Sequence, residues 1–239
     1  MPSLRFRPKL LPSVGTACLL ALFIHLGLWQ SSKGERALAA REQHAARAQL
    51  GPTHVGSTLL DPELTQDAPL VVTGTFDAAD SFYVDNRQMD GRPGLHKVTP
   101  LKIEGTQTRI LINRGWVPWG TSRSQLPTVD TPIQTVTVTG IAAVPTSKGF
   151  FLMPDRPEAW PELWSRLDLK RYTAQSNHPV QQVVLLQTSD DGGPKLVRKW
   201  PPPEDRAAMH QSYAMQWFGM ALALTVFFGV ASTRRSNVA

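Results

Sequence analysis

Four residues near the C-terminal end, His210, Tyr213, Ala214 and Trp217, stand at i, i+3, i+4 and i+7, so a helix through them presents all four on one stripe. An imidazole can ligate haem iron, and aromatic or small neighbours leave room for a flat macrocycle lying along the helix. The same spacing suits an interfacial belt, in which Tyr and Trp anchor the helix at lipid headgroups and the histidine is wetted. His25 is the second histidine of interest, because an ionisable side chain inside a long apolar run marks a functional position by default. If Trp29 and Ala214 lie at one level, His25 sits about 6 Å to one side of it and His210 about 6 Å to the other. That offset of about 12 Å argues against a pair of ligands facing each other across one iron and favours a neutral histidine packed between helices. Arg114 offers a two-pronged partner for a propionate or a partner's carboxylate, or for an acid within its own domain. We expect Gly94, Pro100 and Gly115 to set turns.

The elements that must position these residues follow from hydropathy. Residues 10–30 and 214–231 carry no formal charge, and each run is long enough as a helix to cross a bilayer. A cleaved signal peptide is the competing reading of the first run, with Ala37-Leu38-Ala39 as its site. The length of the run, and Lys33, Glu35 and Arg36 between it and that site, favour a retained helix. Residues 34–50 are rich in helix formers and end at Gly51-Pro52, so they extend the first helix outward. Between the two crossings the texture turns to strands, at 68–76, 82–88, 96–103, 108–116, 133–141 and 180–187, with 104–107 as a hairpin loop. Residues 157–173 read as one helical insert with Trp160, Leu163, Trp164 and Leu167 on one face. The expected fold is two transmembrane helices flanking a mainly antiparallel β (α+β) extracytoplasmic domain, with a barrel-like closure open to it.

Charge decides the partner class. The chain of 239 residues has a net charge of +6. Five of its cations, Arg5, Arg7, Lys9, Arg234 and Arg235, sit in the two tails, and all 19 acids lie between. The middle is therefore nearly neutral, which argues against nucleic acid as a partner. Cations outside both crossings place the tails, 1–9 and 232–239, in the cytoplasm and the domain of residues 31–213 outside. With nine residues ahead of Leu10, no long transit segment is expected, and a bacterial inner membrane with a periplasmic domain fits best. The single cysteine, Cys18, rules out an intramolecular disulfide, a multi-cysteine metal cage and covalent haem attachment through Cys-x-x-Cys-His.

Four blocks appear in a telling order: Leu26-Gly27-Leu28-Trp29-Gln30; residues 90–101, DGRPGLHKVTPL; residues 110–118, ILINRGWVP; and His210-x-x-Tyr213-Ala214-x-x-Trp217-Phe218. Together they resemble the Surfeit-locus family of cytochrome c oxidase assembly proteins over residues 10–231. The resemblance implies an assembly factor that assists delivery or insertion of haem a into oxidase subunit I, with haem a synthesis enzymes as further partners. A haem-free membrane scaffold that holds oxidase subunits is the alternative. Under the first reading His210 is the iron ligand, with Tyr213, Trp217 and Arg114 as cofactor-binding neighbours. Met209 stands where the family has an amide residue before the histidine.

Catalysis has little support. There is no Gly-x-Ser-x-Gly and no His-Glu-x-x-His, Gly91-Arg92-Pro93-Gly94 is not a phosphate loop, and Asp190-Asp191 before Gly192-Gly193 reads as a solvated hairpin tip. We expect no enzyme.

Overall fold

A computed structural model describes residues 3–120, 125–145, 162–190, 196–200 and 206–236. The chain divides into two compact units, residues 1–43 with 202–239, and residues 44–201.

In the first unit β1 (Ser3–Phe6) leads into α1 (Leu10–Ala48), a single helix of 39 residues that runs into the second unit. The apolar run and the helix-forming segment after it are thus continuous, as the helix's one proline, Pro12, lies in its first turn and no glycine pair interrupts it before Gly51-Pro52.

The second unit continues with β2 (Thr53–His54), α2 (Pro62–Thr65), β3 (Pro69–Phe76), β4 (Phe82–Met89), β5 (Arg92–Ile103), β6 (Arg109–Pro118) and β7 (Val136–Ala143), then β8 (Leu163–Trp164), α3 (Leu169–Gln175) and β9 (Val180–Gln187). The chain returns to the first unit as α4 (Ala207–Ala231) and β10 (Thr233–Ser236), which pairs antiparallel with β1.

Five strands of the second unit close into a ring, β3-β5-β6-β9-β7 and back to β3. All neighbours are antiparallel except β6 and β9. That is the strand order of an OB-type barrel, a fold that by itself assigns no function. The strand β5 makes closure possible. Its first half pairs with β4, whose hairpin turns through Asp90 and Gly91, both at positive φ as a two-residue turn requires. Its last residues pair with β3 instead. Pro100 lies where β5 changes partners, so its missing N–H costs no ladder bond on that edge, and its carbonyl accepts the Asp77 N–H at 2.8 Å.

Both faces of the sheet are buried, which explains the unbroken apolar run in β6. Ile110 and Ile112 point into the barrel with Leu101, Val138 and Leu185, while Leu111 joins Phe82, Val98 and Val184 on the outer face. Trp164 and Tyr172 cover that outer cluster, Trp164 stacking on Phe82 with centroids 4.2 Å apart.

Two expectations need correction. Of the segment read as a helix over 157–173, the described residues, 162–173, are helical only from Leu169 on, in α3. Asp168 takes the N-cap position, its side chain accepting the Arg171 N–H, so the helix starts after it. Leu163 and Trp164 instead pair parallel with Tyr83 and Val84, and Trp164 and Leu167 pack on the outer cluster. Trp160 and the rest of 157–161 lie outside the described residues, as do Asp191, Gly192 and Gly193. Gly94 and Gly115 are strand residues, not turn residues. A Cβ on Gly94 would meet the Trp116 ring and the Val117 carbonyl at 2.4 Å. Gly115, at φ 136°, follows a bulge in which Val98 faces Asn113 and Lys97 faces Gly115, leaving Arg114 as the extra residue.

Candidate functional site

Helices α1 and α4 pack antiparallel within the first unit along a seam that repeats every seven residues. From α1 it takes Phe23, Gly27, Gln30 and Gly34; from α4 it takes Ala207, His210, Ala214, Trp217 and Ala221. Gly27, Gly34 and the three alanines are buried, small residues of the kind expected where helices associate without water to drive them, and a Cβ on Gly34 would lie 3.5 Å from the Ala207 carbonyl oxygen. A Cβ on Gly27 would meet the Phe218 ring at 2.6 Å.

His210 lies in the first turn of α4, on this seam and half-buried. Its Nδ1 is 2.8 Å from the side-chain oxygen of Gln30. An amide oxygen only accepts, so Nδ1 carries a proton, and in the neutral ring Nε2 is the nitrogen with the free lone pair. This is how ligating histidines are held, with the other ring nitrogen donating to an oxygen that fixes tautomer and orientation. One turn and more along the seam, Trp217 lies 5.8 Å from Phe23 between ring centroids. The stripe foreseen from spacing is therefore split. His210, Ala214 and Trp217 face α1, whereas Tyr213 is 44% exposed beside them.

His25 is not brought to His210. It is exposed on α1, so packing between the two helices does not account for it. The level of His210 is that of Gln30, five residues away, which puts the offset at about 7.5 Å and not the 12 Å inferred from Trp29 and Ala214. Cys18 is exposed on the same helix.

Arg114 belongs to the barrel unit and is fully buried. Its guanidinium donates to the Asp130 carbonyl at 3.1 Å and the Thr131 hydroxyl at 3.0 Å, and lies 5.0 Å from the Phe76 ring centroid. The bulge before Gly115 turns this side chain inward, so it serves the interior of the domain and offers no outward fork to a propionate. Burial, and after it the Arg114 charge, push the neighbouring Lys97 down to about 8, and burial pushes Tyr83 up to about 12. Among the described residues no group of three His, Cys, Asp or Glu side chains could hold a metal ion.

Gln30 is the residue that sequence reasoning missed, although it stands in one of the four blocks. Its signal was an amide at the outer end of an apolar run, opposite a histidine whose own neighbour, Met209, is no amide. The sevenfold spacing of Gly27 and Gly34 against Ala207, Ala214 and Ala221 would have set the register that brings the two together.

The sequence profile described as the SURF1 family matches residues 17–222, which takes in the barrel and most of both long helices. No curated protein sequence matches the chain.

Proposed function

The chain belongs to the SURF1 family, which is associated with cytochrome c oxidase assembly, and from that premise we propose that it assists delivery of haem a into oxidase subunit I in a bacterial inner membrane. The observation that carries this reading is the hydrogen bond from His210 to Gln30. In the neutral ring it leaves Nε2 as the nitrogen open to iron at the start of α4, with Trp217 further along the seam and the exposed Tyr213 beside it.

Haem bound there would supply an iron centre that accepts an imidazole nitrogen. The chain's own residues do the rest. Gln30 holds the proton on Nδ1, the glycines and alanines of the seam keep the helices close, and Trp217 and Tyr213 present flat apolar surface. Arg114, spent inside the barrel, is not part of this set.

Membrane placement is supported by length and by surface. Both α1 and α4 are long and apolar enough to cross a bilayer. Their outward residues include Leu19, Leu22, Leu222, Phe227 and Val230, all exposed, an apolar surface that lipid would cover. The pairing of β1 with β10 puts the two tails on the same side of the helix pair, and their cations favour the cytoplasm. The barrel unit then lies outside, where it meets subunit I and haem a synthesis enzymes.

Deleting the protein tests the reading. Oxidase activity and the haem assembled in that oxidase should fall while the subunit I polypeptide is still made. Normal oxidase with a normal spectrum under limiting haem supply would overturn it. Loss of oxidase with haem insertion intact would leave a scaffold that only holds subunits.

A further inference from the structure

The outer face of the barrel carries a cavity of about 490 Å³, within the range that holds small molecules. His96 of β5 and Asn113 of β6 line it, with Arg87 of β4 and Trp200 at its margins. A second hollow of about 730 Å³ shares His96, Arg87 and Trp200 with it. OB-type barrels take ligands on the face of their second and third strands, between the loop joining strands one and two and the loop joining strands four and five. Those strands are β5 and β6 here; the connection between barrel strands one and two, which holds β4, supplies Arg87, and that between strands four and five supplies residues 165–167 of the lining.

The polar groups in the cavity define what fits. Asn113 Nδ2 is 3.0 Å from His96 Nδ1. An amide nitrogen only donates, so Nδ1 accepts and the imidazole proton sits on Nε2. Burial, aided by the charge of Arg87, pushes His96 down to about 4, so at neutral pH the ring is an uncharged donor. Among the described residues, the buried Asn113 Oδ1 accepts no hydrogen bond and Arg87 Nε makes none. The neighbouring charges are already engaged. Asp85 Oδ1 accepts from the Asn86 N–H and the Trp119 indole, Arg166 holds Asp168, and Lys199 holds Asp90 at 3.1 Å. The Trp200 ring stands edge-on to His96 at 5.4 Å.

We propose that this cavity binds a small planar heteroaromatic acid, its carboxylate on Arg87 and His96 Nε2–H, its ring N–H on Asn113 Oδ1, and its ring beside Trp200. A carboxylate meets the guanidinium fork. A ring N–H satisfies an oxygen that would otherwise be costly to bury. The proposal stands apart from the oxidase reading, and neither requires the other.

Indole-3-carboxylate is a probe with all three features, and titration calorimetry on the full chain in detergent can measure its binding. Saturable binding is expected. Indole-3-carboxamide, which lacks the charge, should bind about tenfold more weakly, and 1-methylindole-3-carboxylate, which lacks the N–H, several-fold more weakly. Arg87→Gln should remove the preference for carboxylate over carboxamide, and Asn113→Asp should abolish binding by repulsion while leaving the shape of the cavity. Unfolding temperatures show whether each variant is folded; if either is not, the three probes on the wild-type chain decide. No saturable binding of indole-3-carboxylate, or equal affinity for the carboxylate and the carboxamide, would overturn the proposal.

Discussion

Gln30 and His210, 180 residues apart in the chain, meet through a 2.8 Å hydrogen bond that fixes which imidazole nitrogen is free. The bond joins the C-terminal end of the first apolar run to the first turn of the other helix. It also supplies from α1 an amide that position 209 does not provide.

Replacing Gln30 by Leu should release the His210 tautomer. Nitrogen NMR of histidine-labelled protein should show loss of the Nδ1–H form, and haem affinity should fall by about tenfold or more, the usual effect of removing a group that orients a ligand. Gln30→Glu, which still accepts from Nδ1, should retain both. An unchanged tautomer in Gln30→Leu would show that the bond does not hold the ring.

The seam makes a second prediction. Gly27→Leu forces a side chain into the Phe218 ring and should destabilise the helix pair by about 1–3 kcal/mol in a detergent unfolding assay. Gly219→Leu, where an added Cβ meets nothing within 4 Å, should be close to neutral. Equal effects at the two positions would contradict the packing described.

His96 gives the barrel an acid sensitivity of known sign. Burial first, and the Arg87 charge second, depress its folded value to about 4 from an ordinary 6.5. Between those limits the unfolded chain binds a proton that the folded chain does not, so stability is full above pH 6.5 and falls as pH drops toward 4. The slope from this one group is at most about 1.4 kcal/mol per pH unit. His96→Gln should lose that component. Parallel stability profiles of the two proteins between pH 4 and 6.5 would sink the idea.

Topology is open to a direct assay. Alkaline phosphatase fused after Leu60 should be active and after Ala239 inactive, because the enzyme works only outside the cytoplasm. The reverse pattern would overturn the placement of the barrel and its access to oxidase subunits.

Much of this architecture is visible in residue patterns. The two apolar runs announce α1 and α4, and six alternating or apolar stretches announce β3, β4, β5, β6, β7 and β9, because period and turn residues act locally. Ring closure is not local. It depends on β5 changing partners at Pro100 and on β6 pairing parallel with β9, neither of which leaves a mark in any one segment. Trp164 and Leu167 fit one face of a helix because a cover over a sheet also needs bulky residues at intervals, and the Asp168 cap decides where the helix begins. At the candidate site His210 and Trp217 were legible as types at a spacing. Gln30 was not, since its role arises only from the register of two helices far apart in sequence.

The central claim, that His210 offers Nε2 to haem iron, is tested most directly by the visible absorption spectrum of the full chain purified in detergent from cells that also make haem a. The account predicts a Soret band in the wild type that is lost or altered in His210→Ala and unchanged in His25→Ala. Protein level and unfolding should stay near wild type, because a half-buried side chain in the first turn of α4 removes little apolar volume. No Soret band in the wild type, or identical spectra for wild type and His210→Ala, would contradict it.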